Sequence, residues 1–297
     1  MQKGKAEKKQ EGGIRRKMIW ILGSIAVLVA AIIILFQIPY SPTRNEFLRD
    51  VHRHTEQAAI NTQSGIFTEQ NIEHLPELIQ NHFRAANWIG QPISSAARAF
   101  MPSVPLYQSI DSPPLILDYT VYVFAHPARL AYMTTSMFGL PFEAYDSTQE
   151  GTGFMRGVIG RILTLFNETG PEMDQGQLMT WLGEAPLLPS IFLSQYIDWE
   201  SIDANHVRAT LAYRGITGSG IFAFDDNGFM QSFHTHDKPR VETDGSIEFP
   251  ALSHEFDEWI RNENGMYIPY SVRAIWHLYD GDLIYFASRG FEVEFRY

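Results

Sequence analysis

The sequence predicts an α+β fold, in which a curved, half-barrel-like antiparallel β-sheet carries a few packing helices and follows one N-terminal transmembrane helix. Three observations indicate this fold class. The segment from Met18 to Phe36 is apolar and uncharged, and the chain after about Leu115 alternates between apolar and polar residues as strands do. Gly, Asn and Asp recur there at short spacing without a repeated strand–helix unit, which favours antiparallel pairing.

The composition is that of an ordinary globular protein with an appendage. The 297 residues are 45% hydrophobic and 19% charged, and none is cysteine. Zero Cys excludes a disulfide scaffold, a Cys-ligated metal or iron–sulfur site, a thiol nucleophile and a lipidated N-terminal Cys. We expect no cofactor.

Charge is divided unevenly along the chain. Seven of the 23 basic residues but only two of the 34 acidic ones lie in the first 17 residues. The remainder therefore has 16 basic and 32 acidic residues and a formal charge of −16, which repels a phosphate backbone. We expect no nucleic-acid partner, and we interpret residues 1–17 as a basic cytoplasmic tail.

The apolar segment predicts a transmembrane helix over residues 18–38. About 20 helical residues cross a hydrocarbon core of roughly 30 Å, whereas a cleaved signal peptide has a shorter apolar region and a small-residue cleavage site. The basic flank favours the cytoplasm. The prediction is thus a single-pass protein of the bacterial cytoplasmic (inner) membrane, held there by Met18 to Ile38, with its N-terminus inside and its C-terminal domain outside.

Residues 39–73 are predicted as a helical stalk and loop. Thr43 can cap a helix that runs to about Ala59, and a loop follows. The extracytoplasmic α+β domain, residues 74–297, then begins with a helix from Pro76 to Asn87.

Strands are predicted over about residues 115–160 and 199–297, with one helical interruption. Asp174 is the expected N-cap of that helix, and Pro186 ends it. Asp226, Asn227 and Gly228 predict a tight hairpin turn, and residues 280–282 predict a second.

The order of several short motifs resembles that of an uncharacterised bacterial family, catalogued only as a domain of unknown function. The motifs, spread over about residues 74–297, are LPELIQNHFRAANWIGQP, Gly151-Thr-Gly153-Phe-Met155, LMTWLGEAPLLPSIFL, Trp199-Glu-Ser-Ile202-Asp203, Phe224, Gly228, Arg240, Gly265-x-x-Ile268-Pro269, Trp276 and Tyr297.

The resemblance implies little about activity. Members of the family often have N-terminal transmembrane helices, and the family has no established catalytic residues. The strand pattern is also similar, at fold level, to the half-barrels of envelope lipoprotein carriers, which hold an acyl chain under a helical lid. This chain differs from them in having no lipidated Cys and in its predicted tether.

Four residues are the predicted ligand-binding residues. Glu184 lies in an apolar helix and Arg240 follows a hairpin strand among aromatic residues, and because a buried charge needs a partner, the two would pair or one would bind a ligand head group. Trp181 and Trp276 are predicted to face an apolar pocket between the curved sheet and a lid over residues 174–195.

Motifs for catalysis or metal binding are weak. His234 and His236 share a strand face and could bind zinc, with His254 or Glu255 as a further ligand, but no diagnostic spacing supports a metal site. Gly218-Ser219-Gly220 has the spacing of neither a nucleophile elbow nor a phosphate loop and reads as a turn.

The predicted function is binding of a lipid or another apolar ligand outside the cytoplasmic membrane, without a catalytic motif. A structural or interaction subunit of an envelope complex is the alternative, and a hydrolase that uses paired carboxylates or His234 and His236 is a third. The pattern names no protein partner.

Overall fold

The computed structural model describes residues 3–37, 40–62, 65–241 and 246–297. Parts of the predicted tail, membrane span, stalk and strand region, namely residues 1–2, 38–39, 63–64 and 242–245, lie outside the described residues. The chain divides into two compact units, Met1–Ser41 and Pro42–Tyr297.

The first unit contains one long helix, α1 (Lys3–Gln37). Large apolar side chains along it, from Met18 to Ile34, are exposed. Within the described ranges, no helix combines the length and the apolar character that crossing a bilayer requires.

The second unit has four helices and two 3-10 turns within the described residues. They are α2 (Pro42–Asn61), α3 (Glu69–Ile72), α4 (Glu77–Ala85) and α5 (Pro171–Gly183), followed by the turns Ala185–Leu187 and Pro189–Leu193.

The strands of this unit lie on both sides of α5 in the chain. Before it come β1 (Ala96–Leu106), β2 (Leu115–Phe124), β3 (Arg129–Met137), β4 (Leu140–Gln149), β5 (Thr152–Ile159) and β6 (Leu163–Thr169). After it come β7 (Ile197–Ser201), β8 (His206–Tyr213), β9 (Ile216–Phe224), β10 (Met230–Thr235), β11 (Arg240–Val241), β12 (Ile247–Glu248), β13 (Ala251–Glu255), β14 (Trp259–Arg261), β15 (Tyr267–Pro269), β16 (Ser271–Leu278), β17 (Gly281–Arg289) and β18 (Glu292–Arg296).

Most strands belong to one 14-stranded sheet. Its order is β6-β5-β4-β3-β2-β1-β17-β16-β13-β10-β9-β8-β7, with β18 paired to β1. The described strand pairs are antiparallel, as in the neighbouring pairs β1–β2, β1–β17 and β16–β17. The α+β class with a large curved antiparallel sheet and few helices is confirmed.

Alternation along the strands gives the sheet two faces. On β3, Ala131 and Met133 belong to the main hydrophobic core, which we call the inner face, whereas Leu130 and Tyr132 point the other way into a second cluster on the outer face. The second cluster packs under α2, whose Phe47 ring stacks on Tyr132 at 5.2 Å. The helix predicted as a stalk is therefore packed onto the domain.

Several local predictions hold and others need correction. The two hairpins are present, and Gly228 has the expected positive φ of 84°. The interrupting helix begins at Pro171 instead of after Asp174. The Asp174 carboxylate accepts from the Gly153 backbone N–H at 2.6 Å, so it fastens α5 to β5 and does not cap the helix.

The predicted turn at Gly218-Ser219-Gly220 is wrong, since all three residues lie within β9. A Cβ at Gly220 would come within 2.1 Å of the Phe233 ring. Glycine is needed there because an aromatic ring of the next strand occupies the space of a side chain.

Candidate functional site

A cavity of about 180 Å³ lies between the inner face of the sheet and α5. One part of its lining is polar and includes four charged groups. The polar residues come from β2, β3, β4, α5, β13, β17 and the loop after β10, and they are Tyr119, Arg129, Asp146, Gln177, Thr180, Glu184, Lys238, His254 and Tyr285.

Sheet register places the polar residues of the first strands together. Asp146 of β4 is the cross-strand neighbour of Ala131, two residues from Arg129 on the same face of β3. Tyr119 of β2 is opposite Met133, again on that face. A strand period of two therefore directs all three polar side chains toward the cavity.

The helix contributes one polar face. Gln177 and Thr180 of α5 and Glu184, the residue that caps its C-terminal end, are spaced by three and four residues and so lie on the same side of the helix,. The close approach of α5 to β13 depends on Gly183, because a Cβ there would come within 2.5 Å of the His254 Nδ1 atom.

Arg129 joins the sheet to the helix. The residue is 2% exposed. Its Nε donates to Glu184 Oε2 at 2.8 Å and its Nη1 to Asp146 Oδ2 at 3.0 Å. Nη1 also donates to Gln177 Oε1 at 3.3 Å, and Nη2 donates to the Tyr119 hydroxyl. The guanidinium is thus bound by two carboxylates and two neutral oxygens.

The two sides of this ion pair respond differently to burial. Burial lowers the pKa of Arg129, but the attraction of Glu184, Tyr119 and Asp146 outweighs it and raises that pKa well above its usual value. Burial also raises the pKa of Glu184, which Arg129 only partly offsets. Arg129 therefore keeps its positive charge, and its ion pairs hold the carboxylates of Asp146 and Glu184 in place.

Lys238 is the second cation of the cavity. Its Nζ donates to Thr180 Oγ1 at 2.6 Å and lies 6.0 Å from the centre of the Trp276 ring. Among the described residues, no carboxylate forms an ion pair with it within 4.0 Å. Burial lowers the pKa of Lys238 to about 8, so it is mostly protonated at pH 7.

His254 adds a neutral polar group. Burial, together with the nearby Lys238 and Arg129 charges, lowers the pKa of His254 to about 3. The imidazole therefore offers no positive charge at neutral pH. Two cations, Arg129 and Lys238, and two carboxylates, Asp146 and Glu184, give the lining a balanced charge.

The other part of the lining is apolar. Among its members, Leu106, Met155, Val272 and Phe286 are half-buried, whereas the rest are buried. The apolar lining residues are Met101, Leu106, Met133, Met155, Leu187, Phe256, Val272, Ala274 and Phe286.

Glu184 lines the cavity, but its partner is not the predicted one. It pairs with Arg129, whereas Arg240 lies on β11 opposite Glu248. The prediction that Glu184 needs a cation follows from its apolar helix. Which cation meets it depends on the packing of α5 over β3, which the local sequence does not encode.

Neither predicted tryptophan lines the cavity. Trp181 is buried in the main core, and its Nε1 donates to the Phe124 carbonyl at 2.9 Å. Trp276 packs with Leu252 and Leu283 in a separate small cluster. It lies next to the cavity through two lining residues, because the Lys238 Nζ and the Tyr285 ring are each 6.0 Å from the centre of the Trp276 ring.

The predicted metal candidates do not form a metal centre. The rings of His234 and His236 are 5.3 Å apart, and His234 lies on the face of the sheet opposite to that of cavity-lining His254. In the described part of the chain, no group of three His, Asp or Glu side chains is arranged to hold a metal ion.

Sequence reasoning missed Arg129, Asp146 and Lys238. Lys238 had a usable signal, because it is the one lysine after residue 17 and a lone lysine in an acidic domain is conspicuous. Arg129 and Asp146 lie on strands, and which face of the sheet their side chains occupy depends on the strand register, which the local sequence does not define.

Comparison with protein families gives one match. The model of a family of unknown function, DUF6544, matches residues 65–288, which confirms the resemblance inferred from the motifs. A comparison with curated proteins gives no match.

Solved structures give distant matches at fold level. A LolA superfamily protein from Nitrosomonas europaea is 12% identical, with a TM-score of 0.41, over 74% of this chain and 94% of that one. A DUF1329 family protein from Desulfovibrio piger is 8% identical, with a TM-score of 0.38, over 78% and 94%.

The buried ion pair gives a stability prediction. Arg129→Met should lower the free energy of unfolding by about 3–5 kcal/mol, because Asp146 and Glu184 would remain buried without their cation. Arg98→Met, which breaks the more exposed pair of Arg98 with Glu294, should cost at most about 1 kcal/mol. Urea unfolding measures both, and equal losses would contradict the prediction.

Lys238 gives a prediction for pH. Its pKa is lowered on folding, so the unfolded chain binds more protons than the native one above pH 8, and stability should rise with pH there. Urea unfolding between pH 7.5 and 9.5 should therefore show wild type gaining stability relative to Lys238→Met. If the free energies of unfolding of the two proteins changed in parallel with pH, the lysine would not be desolvated in the folded state.

Proposed function

Because the chain belongs to DUF6544, a family of unknown function, we propose a function from the cavity itself: the domain binds a lipid-like molecule with an apolar tail and a small, uncharged, oxygen-bearing head. The observation behind this proposal is that the cavity between the sheet and α5 combines an apolar part with a polar part of balanced charge. Ligand sites typically have this composition.

Charge balance supports an uncharged head. Arg129 faces two carboxylates, which leaves one excess negative charge, and Lys238 compensates it. A bound anion or cation would leave an unbalanced charge in a buried place, which is costly. The Nζ of Lys238 and the hydroxyl groups of Tyr119, Tyr285 and Thr180 can instead hydrogen-bond an alcohol or ester oxygen.

Size supports an amphiphile that is only partly enclosed. A cavity of about 180 Å³ is slightly larger than one that holds benzene. It accommodates a head with the first carbons of a tail. The rest of a longer tail would leave past the half-buried Leu106 and Phe286.

A series of ligands with the same tail tests the choice of head. At pH 7, isothermal titration calorimetry should show 1-octanol binding at least about tenfold more tightly than octanoate or octylamine, because only the alcohol adds no charge. An equal or higher affinity for octanoate would refute the uncharged head.

Two variants serve as target and matched control in the same experiment. Lys238→Met should weaken octanol binding by about two- to tenfold, the effect of one hydrogen bond. Arg240→Gln removes a positive charge close in sequence but outside the lining and should leave the affinity unchanged.

We also propose that the domain is held at the outer side of the bacterial cytoplasmic membrane, near a source of such ligands. The uncharged apolar segment from Met18 to Phe36 and the basic residues before it support this proposal,. The orientation would place the N-terminus inside and the C-terminal domain outside.

Membrane anchoring has its own test. In a bacterial host, the full chain should stay in the membrane pellet after alkaline carbonate washing, and its C-terminal part should be cleaved by protease added to spheroplasts. Val27→Lys with Ala30→Lys should release it, since each charge costs about 2.5–3.5 kcal/mol at the centre of a span. Gly12→Lys, in the basic tail, is the control, and release of the wild type would refute the anchor.

A further inference from the structure

The outer face of the sheet carries a polar network that the cavity does not use. His254 lines the cavity, so its neighbour Ser253 faces the other side of β13. Register places Ser253 next to His234 of β10 and places His277 of β16 opposite Asp282 of β17. Four strands therefore bring these side chains together.

The contacts have the order of a catalytic triad. His277 Nδ1 lies 2.8 Å from Asp282 Oδ1, and His277 Nε2 lies 2.7 Å from Ser253 Oγ. Ser253 Oγ is also 3.1 Å from His234 Nδ1. His277 therefore contacts the carboxylate of Asp282 through one ring nitrogen and the hydroxyl of Ser253 through the other.

The hydrogen-bond roles are determined by the carboxylate. An ionised carboxylate only accepts, so the proton of neutral His277 is on Nδ1 and its Nε2 is an acceptor. The Ser253 hydroxyl then donates to His277 Nε2, and its oxygen accepts from His234 Nδ1–H. This is the tautomer in which a histidine acts as base toward a serine.

We propose that Ser253 is a nucleophile that cleaves neutral esters, with His277 as its base and Asp282 as the positioning residue. The site is separate from the cavity and independent of the function proposed for it. Ile275, opposite Ser253 in the register, and Ile284, opposite Ile275, favour a small apolar acyl group. The two imidazoles, His234 and His277, and the carboxylate of Asp282 provide no permanent cation for an anionic ester.

The reaction balances with water as the only co-reactant. Ser253 Oγ bonds to the ester carbonyl carbon while its proton moves to His277 Nε2, and that proton then goes to the departing alkoxide as the C–O bond breaks. Water attacks the acyl-serine, gives a proton to His277 and releases the acid, and the proton returns to Ser253. The His234 N–H beside Oγ is the donor available to the oxyanion.

A second serine provides a matched control. Ser271, on β16, is as buried as Ser253, with 6% of its surface exposed. Its Oγ is buried without a hydrogen-bond partner among the described residues. If burial alone determined reactivity, both hydroxyls would react equally. Only Ser253 has an imidazole base beside it among the described residues, so a difference in reactivity reports on that base.

Covalent labelling of the full chain tests the proposal. A fluorophosphonate probe should add one equivalent to the wild type, located at Ser253 by peptide mass spectrometry, and 4-nitrophenyl butyrate should be hydrolysed. Ser253→Ala should abolish both, and His277→Gln should slow both at least about 100-fold. Ser271→Ala should react as the wild type does.

Urea midpoints of the variants show whether they are folded. Asp282→Asn should reduce the labelling rate but leave the urea midpoint no lower than that of Ser271→Ala. If the carboxylate were merely structural, its loss would not slow labelling in a protein of unchanged stability. Absence of an adduct on the folded wild type, or an unchanged labelling rate in folded His277→Gln, would overturn the proposal.

Discussion

The structure of the cavity depends on one buried guanidinium. Arg129 has almost no contact with water, so its donors must find acceptors within the protein. Asp146 comes from the sheet and Glu184 from the C-terminal cap of α5, which makes the ion pair the polar link between the two layers. Lys238 then balances the second carboxylate. The polarity of the cavity is in this sense a consequence of closing α5 over the sheet, because the same side chains that hold the helix also line the empty space beside it.

The sheet uses its two faces for separate purposes, and neighbouring residues often serve different ones. Ser253 belongs to the outer polar network and His254 to the cavity. Phe233 packs in the core while His234 faces outward to Ser253. Because the side-chain period is two, a shift of one residue in register would exchange these roles. The many short hairpins reduce that freedom, since each turn fixes the register of the two strands it joins.

Local patterns were sufficient for the fold class but not for the site. Alternation and turn residues predict antiparallel hairpins because both signals are local. β1 lies before the first predicted strand region. It contains Pro102 and Pro105, which are unfavourable inside a strand. The register of β1 with β2 shifts between Met101 and Val104, and this irregularity accommodates Pro102. Glu184 was identifiable as a charge in an apolar helix, whereas its pairing with Arg129 joins residues 55 positions apart.

The open sheet has consequences for how the protein behaves in concentrated solution. Its strand order ends at β6 on one side and β7 on the other, and an end strand offers free backbone groups to another chain. β7 carries Asp198 and Glu200, whose charges discourage pairing between copies. β6 instead exposes Leu163 and Leu165. The two ends are therefore unequal, since β6 carries one carboxylate, Glu168, against two on β7. Pairing of two folded copies through β6 alone would stop at a dimer, because it uses up the one favourable edge of each copy.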